Sequence, residues 1–415
     1  MRRLECAAVE RAVMQVGLDR LREDPSLSGL VAELRGARVG LLAHPASVDR
    51  RLVHALEVLR ELGIAPRILF GPEHGWSGHA QDMVGVEDGP ALARDGDSPV
   101  RVVSLYGERY EDLSPRPEHL EGIDVVVVDL QDVGARYYTF VWTAVLVARA
   151  CRDAGVRVVV LDRPNPLGHT VIEGRLQAPS FLSFVGLERV PIRHGLTLGE
   201  IVAWRAREEG YAELVRVVEV RGLDREAHAP SWDRPFVMPS PNMPTYETAL
   251  VYPGGCLLEG TNLSDGRGTT RPFEITGAPW LDGARLARGL MATGLGGFVA
   301  RPIAFEPTFH KHARTTCGGV QIHPTDPRAF QPVATYVALV ALAHHAHPEH
   351  FAFRTEKYEF VDHIPAFDLL TGSSRARERI LAGDDPRDIA REVAAVGDEE
   401  REVVAFVRSA RGARL

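Results

Sequence analysis

The stretch IDVVVVDLQDVGARYYTFVWTAVLVARACRDAGVRVVVLDRPNP, residues 123–166, decides the fold. It reads as an apolar strand (Ile123 to Leu130), a polar turn, a helix from Phe140 to Asp153 and a second apolar strand (Val156 to Leu161). Strands this rich in valine are buried on both faces, and a helix between two of them is the signature of a parallel sheet. The pattern extends toward the N-terminus. Val39 to Ala43, Arg67 to Phe70 and Val100 to Leu105 read as further strands. Between the first two, Leu52, Val53, Leu56, Val58, Leu59 and Leu62 recur on a helical period from Asp49 to Leu62. An amphipathic helix from Val9 to Leu21 precedes them. The expectation is an α/β fold with a Rossmann-like, doubly wound parallel sheet.

The second half has a different texture. Trp232 to Gly277 is dense in proline and glycine, too rich in breakers for one helix or a plain strand, and reads as structured loop lining a ligand. Beyond it come a helix from Asp282 to Met291, strands at Phe298 to Phe305 and Gly319 to His323, a helix from Arg328 to His345, and helical patterns from Ala366 onward. This predicts a smaller α+β domain. The division falls into residues 1–275, carrying most of the site, and 276–415, closing a cleft over it.

Composition narrows the function. The 415 residues are 45% hydrophobic and 25% charged, which is that of a globular chain of about two domains and rules out disorder. Lys+Arg 48 against Asp+Glu 56 gives a net charge of −8, with the signs interspersed, so the field of a nucleic-acid binder is missing. No apolar run approaches the roughly 20 residues of a membrane span. Cys6, Cys151, Cys256 and Cys317 form no CxxC pair and read as buried free thiols. After Arg2 and Arg3 come Glu5, Glu10 and Arg11, unlike an export signal, so the expected location is the cytoplasm. Neither GxGxxG nor GxxxxGK[ST] follows a strand, which argues against a nucleotide cofactor. His310, His312 and His323 lack an HExxH pattern or an acidic cluster and read as structural, so no metal or other cofactor is expected. The oligomeric state stays open.

Polar, Gly/Pro-rich segments follow the strands, where α/β sheets bind ligands. In Gly71-Pro-Glu-His-Gly75 the backbone is restrained and Glu73 is presented as a general acid or base, with His74 beside it. The plainer alternative is that Glu73 caps a helix or pairs with an arginine. Gln131, Asp132, Arg136 and Tyr137 at the end of the central strand suit a polyhydroxylated ligand, through planar polar groups and an aromatic face. An Asp132–Arg136 pair that merely holds the loop is the alternative. Asp162, Arg163 and Asn165 offer a similar set, and Glu173 follows. In Glu259-Gly-Thr-Asn-Leu-Ser-Asp-Gly-Arg-Gly-Thr269 the glycines allow close approach to a ligand, while Glu259, Asn262 and Arg267 supply polar groups. No GxSxG elbow marks a serine nucleophile.

In order along the chain, Gly-Pro-Glu-His-Gly (71–75), Asp-Leu-Gln-Asp-Val-Gly-Ala-Arg-Tyr-Tyr-Thr (129–139), Asp-Arg-Pro-Asn-Pro (162–166), Ser-Pro-Asn-Met-Pro-Thr (240–245) and the 259–269 stretch resemble the exo-acting β-N-acetylmuramidase family. The likeness continues through 272–280, 311–312, 317–321 and 367–372. It implies a Rossmann-like domain and a smaller C-terminal domain with the site between them. It also implies removal of non-reducing terminal N-acetylmuramic acid from peptidoglycan fragments, and Glu73 as the leading catalytic group. Glycoside hydrolysis usually takes two carboxyls. Glu73 is then the expected acid and Glu259 or Glu173 the second carboxylate. If the substrate's own 2-acetamido group attacks, Asp132 is placed to orient it. Arg136, Arg163 and Arg267 are the candidates for the lactyl carboxylate. His74, Asn165, Asn242 and Asn262 complete the expected binding set. The competing reading is a protein that binds muropeptides without turning them over.

Overall fold

A computed structural model of the chain describes residues 13–81, 83–85, 89–90 and 100–410. Its first part is a sheet of seven strands among the described residues, in the order β3-β4-β2-β1-β5-β6-β7. The strands are β1 (Val39–Ala43), β2 (Ile68–Gly71), β3 (Gly89–Pro90), β4 (Arg101–Ser104), β5 (Val125–Asp129), β6 (Arg157–Leu161) and β7 (Val215–Val218). Six run parallel, and the short β3 pairs antiparallel with β4. The doubly wound α/β expectation holds.

Alternation within the strands assigns the two faces. Val39, Leu41, Val125, Val127, Val159 and Leu161 pack with α1 (Gly17–Glu23), α2 (Ser28–Gly36) and α3 (Ala55–Glu61). Leu42, Phe70, Val126, Val128, Val158 and Val160 face the other side. There they meet α4 (Pro117–Leu120), α5 (Phe140–Asp153) and α6 (Leu198–Glu208). Full burial of β1 and β5 on both faces explains why their apolar runs are unbroken.

The core on the α5 and α6 side continues into the C-terminal part. That part comprises α7 (Tyr246–Gly255), β8 (Ile275–Ala278), α8 (Gly283–Ala292), β9 (Phe298–Phe305), β10 (Cys317–Pro324), α9 (Pro332–Ala346), α10 (Ala366–Thr371), α11 (Arg375–Leu381), α12 (Pro386–Ala394) and α13 (Asp398–Ser409). The small sheet is antiparallel in the order β8-β10-β9. α9 is buried nearly all round, and α13 returns to pack on α6.

Three expectations need correction. The first helix begins at Gly17, because Gln15 instead forms a bridge with Arg221; residues 9–12 of the expected helix lie outside the described residues. Its neighbour starts at Ala55, since the Asp49 carboxylate accepts from the Arg51 and Val53 amides and holds that segment as a turn. Within Trp232 to Gly277, Tyr246–Gly255 is a helix capped by Thr245, with Pro253 tolerated in its last turn. α2, α6 and β7 went unrecognised because short apolar periods between polar residues give little signal.

Candidate active site

The sheet order reverses between β1 and β5, where an α/β fold ordinarily leaves a ligand crevice. Here the loops fill it with each other. Arg163 grips the Asp129 carboxylate through two nitrogens, one at 2.8 Å, and donates to the Val48 carbonyl at 3.0 Å. His44 accepts from the Gln131 amide at 3.0 Å and meets the Pro239 carbonyl at 3.1 Å. Burial pushes the His44 imidazole down to about 3, so it stays neutral.

The open space lies to one side, over the ends of β2 and β5. A cavity is bounded by Glu73, His74, Tyr137, Tyr138, Thr139 and Phe140 from the sheet side. Ser240, Asn242, Tyr252, Glu259, Arg267, Phe273, Tyr358 and Glu359 close it from the C-terminal half. Loops at the strand ends and segments of the C-terminal half therefore border one cavity.

The turn after β2 aims Glu73. A side chain at Gly71 would meet the Trp76 amide nitrogen at 2.3 Å, so only glycine lets the chain double back. His74 takes a left-handed φ of 72°, held by its Nδ1 contact to the Ala80 carbonyl at 2.9 Å. Glu73 is 8% exposed, and its Oε2 accepts from the Thr139 hydroxyl at 2.7 Å. Thr139 stands at the N-terminus of α5, so the strand-turn-helix unit that decides the fold also positions the carboxyl.

Across the cavity lies a second carboxylate group. Glu259 accepts from Arg267 at 2.7 Å and from the Tyr358 hydroxyl at 2.6 Å. Arg267 also pairs with Asp265 at 3.1 Å and lies over the Phe273 ring, 4.8 Å from its centroid. Gly266 has φ 79°, and a side chain there would strike the Ile275 carbonyl at 2.4 Å; this tight turn returns Arg267 toward Glu259. Burial raises the Glu259 carboxyl, but Arg267 and the Tyr358 hydroxyl outweigh it and hold the group below its ordinary value. Asp265 is buried too, yet Arg267, Lys311 and His310 keep it well below the carboxylate range.

Of the residues expected at the site, Glu73, His74, Tyr137, Asn242, Glu259 and Arg267 line the cavity. Eight others are placed elsewhere. Arg136 is fully buried and donates to the carbonyls of Arg175, Val190 and Leu370, so the Asp132–Arg136 pair does not form. Asp132 accepts from the Gly134 amide at 2.8 Å and stands 3.4 Å from His194. Gln131 donates to the Asp132 and Pro164 carbonyls, and Asn165 braces its own loop and the Leu196 carbonyl. Arg163 is spent on Asp129. Asn262 fastens the His350–Ala352 segment. Asp162 caps α6 through Thr197 and Gly199 beside a separate cavity. Glu173 accepts from the Ala334 amide at the start of α9, and burial pushes its carboxyl up to about 7. Tyr138, Thr139, Ser240, Tyr252, Tyr358 and Glu359 also line the cavity, outside the expected set. Thr139 and Ser240 stood inside the family-like motifs, whereas nothing in the local pattern marks Tyr358 or Glu359.

His310 and Lys311 face Asp265 at 3.6 and 3.4 Å, and His312 contacts the Asn262 carbonyl at 2.7 Å. Among the described residues no group of three or more His, Cys, Asp and Glu is placed to hold a metal ion. No described helix is long and apolar enough to cross a membrane.

An α/β sheet whose strand-end loops border a cavity lined by aromatic rings and several carboxyls fits the glycosidase class. The comparisons name the family. The N-terminal model of exo-beta-N-acetylmuramidase NamZ matches residues 39–247, and the C-terminal model matches residues 250–403. The peptidoglycan beta-N-acetylmuramidase NamZ of Bacillus subtilis (strain 168) is 38% identical over 377 residues, 91% of this chain and 86% of that protein. A DUF1343 family protein of Bacteroides fragilis NCTC 9343 shares the structure with a TM-score of 0.79 at 27% identity, over 95% of this chain and 97% of that one. A second one from the same organism shares the fold with a TM-score of 0.66 at 23% identity, over 96% and 98% of the two chains. The chain belongs to the exo-β-N-acetylmuramidase family.

Proposed function

We propose that the protein is an exo-acting glycoside hydrolase that releases N-acetylmuramic acid from the non-reducing ends of peptidoglycan fragments, with Glu73 as its general acid. The observation that carries this is the placement of Glu73 in the cavity, held by Thr139, opposite the Glu259–Arg267 pair. Tyr137, Tyr138, Tyr252 and Phe273 present aromatic surface to the apolar face of a pyranose.

In the reaction Glu73 gives its proton to the glycosidic oxygen as the bond to the anomeric carbon breaks, so the leaving sugar departs as a neutral alcohol. Arg267 is the arginine for the lactyl carboxylate. It lines the cavity, whereas Arg136 and Arg163 are committed to carbonyls and to Asp129. Glu259 and Asp265 hold its guanidinium in place. Turnover of imported fragments inside the cell is part of the same proposal, supported by the free thiols of Cys151, Cys256 and Cys317, which suit a reducing compartment.

The test is release of free N-acetylmuramic acid from a muramyl-glucosamine disaccharide. Glu73→Gln is expected to lower kcat by about 10²–10⁴-fold with the fold intact, the range of a lost general acid. A fully active Glu73→Gln protein would refute the assignment. Activity confined to the extracellular fraction of fractionated cells would refute the location.

A further inference from the structure

Of the 48 lysines and arginines in the chain only Lys311 and Lys357 are lysines, so nearly every fixed cation is a guanidinium. Lys311 stands in the loop between β9 and β10, and its side chain is 18% exposed. That loop lies along the segment that carries Glu259 and Arg267. The Thr308 amide donates to the Gly268 carbonyl at 2.9 Å, His312 Nε2 meets the Asn262 carbonyl at 2.7 Å, and Lys311 Nζ donates to the Leu258 carbonyl at 2.8 Å. A side chain at Gly268 would strike the Phe309 carbonyl oxygen at 2.6 Å, so the two backbones touch. His310, His312 and Arg314 all take left-handed φ, 69°, 57° and 58°. Strain of this sort persists only where the surroundings over-determine the backbone, and it gathers at functional sites.

The loop delivers a largely buried positive charge. Lys311 Nζ lies 3.4 Å from Asp265 Oδ2, the same oxygen that Arg267 Nη1 meets at 3.1 Å and that His310 Nδ1 faces at 3.6 Å. Burial pulls the Lys311 ammonium down from its ordinary value, and Asp265 and Glu259 oppose the fall. An ammonium is a compact point charge and fits this space, where a guanidinium would need room for its planar fork. Arg267 itself lies between two carboxylates, Glu259 at 2.7 Å and Asp265 at 3.1 Å. Those three groups together carry one net negative charge, which opposes the approach of a second anion. Glu73 and Glu359 border the same cavity and lend no positive charge. Adding Lys311 makes the cluster neutral.

We propose that Lys311 sets the preference for an anionic sugar, by cancelling the charge of Asp265 so that Arg267 can receive the lactyl carboxylate. The inference rests on the reading of Arg267 as the lactyl partner. Neither Lys311 nor Asp265 borders the cavity, so both act through Arg267 as positioning residues.

The experiment compares kcat/KM for an N-acetylmuramide with that for the same sugar carrying its lactyl group as the primary amide, which keeps the shape and removes the charge. It is run at about pH 8, above the ordinary histidine range. Lys311→Met is expected to lower the acid-to-amide ratio by about 10-fold or more, since a unit charge exerts that much across about 12 Å at an effective dielectric of about 20. Adding Asp265→Asn restores the charge balance and is expected to return the ratio to within about threefold of wild type. A merely structural role predicts a further loss in the double variant instead. If thermal unfolding shows that Lys311→Met does not fold, the substitution is read in the Asp265→Asn background, where it should again lower the ratio by about 10-fold. An unchanged ratio, or a double variant no closer to wild type than Lys311→Met, would overturn the proposal. Arg267→Gln is measured alongside. An equal loss on acid and amide there would refute the reading of Arg267 and this inference with it. A selective loss there beside an unchanged ratio in Lys311→Met would leave that reading standing and refute this one.

Discussion

Replacing Glu173 with glutamine separates a buried carboxyl that stabilises from one that reacts. Glu173 is 2% exposed; one oxygen accepts from the Ala334 amide at 2.9 Å, and the other has no hydrogen-bond partner among the described residues. Burial raises its carboxyl from 4.5 to about 7, against the weaker pull of the α9 amide and Arg193. The folded state therefore holds the proton more tightly than the unfolded chain. This contribution is complete below pH 4.5 and is lost as the pH rises through about 7. The gap corresponds to about 3 kcal/mol. A glutamine keeps the acceptor for Ala334 and cannot ionise. The stability of Glu173→Gln relative to wild type should therefore climb by about 3 kcal/mol between pH 4.5 and pH 7.5. Urea denaturation of both proteins across that range measures the difference, and the raised Asp162 carboxyl, present in both, cancels from it. Hydrolysis should stay within about threefold of wild type, because catalytic losses of 10²-fold or more come from groups at the reacting bond. A difference that does not change with pH, or a loss of activity by orders of magnitude, would refute the reasoning.

Arg163→Met leaves Asp129 buried without its guanidinium and should destabilise the protein by about 3–5 kcal/mol in chemical denaturation; adding Asp129→Asn should restore much of it. Arg136→Met orphans three carbonyls, the two buried ones at a cost of about 1–3 kcal/mol each, and thermal unfolding should fall while the preference among sugars is unchanged. Arg267→Gln should lower kcat/KM for the muramide by about 10-fold or more but spare a glucosaminide lacking the lactyl group, as loss of a charged hydrogen bond predicts. An equal loss on both sugars would remove Arg267 from lactyl recognition.

Much of the fold was legible because burial on both faces writes itself as unbroken apolar runs. β1, β5 and β6, with α5 between the last two, fall where valine runs and helical spacing place them. Where polar side chains fold back onto their own backbone, periodicity misleads. Asp49 does this before α3, and the register of the first helix is set instead by a bridge to distant Arg221. Of the site, Glu73 was readable because its glycine-bounded turn is local and follows a strand. Arg136 and Arg163 carried the same apparent promise, but carbonyls and a carboxylate from far along the chain claim their donors.

The sequence by itself determined the parallel sheet, the strand-end turn that presents Glu73, the family, and the net charge of −8. These depend on neighbours a few residues apart or on composition, which the linear order records. Only the tertiary structure decided that the switch-point crevice is filled, that the cavity lies beside it, and that Glu173 and Asp162 cap helices away from it. Tyr358 and Glu359 reach the cavity through a turn braced by Tyr106, more than 250 residues away. Whether a buried polar group meets a partner or an empty space depends on such long-range packing, and no local pattern carries that information.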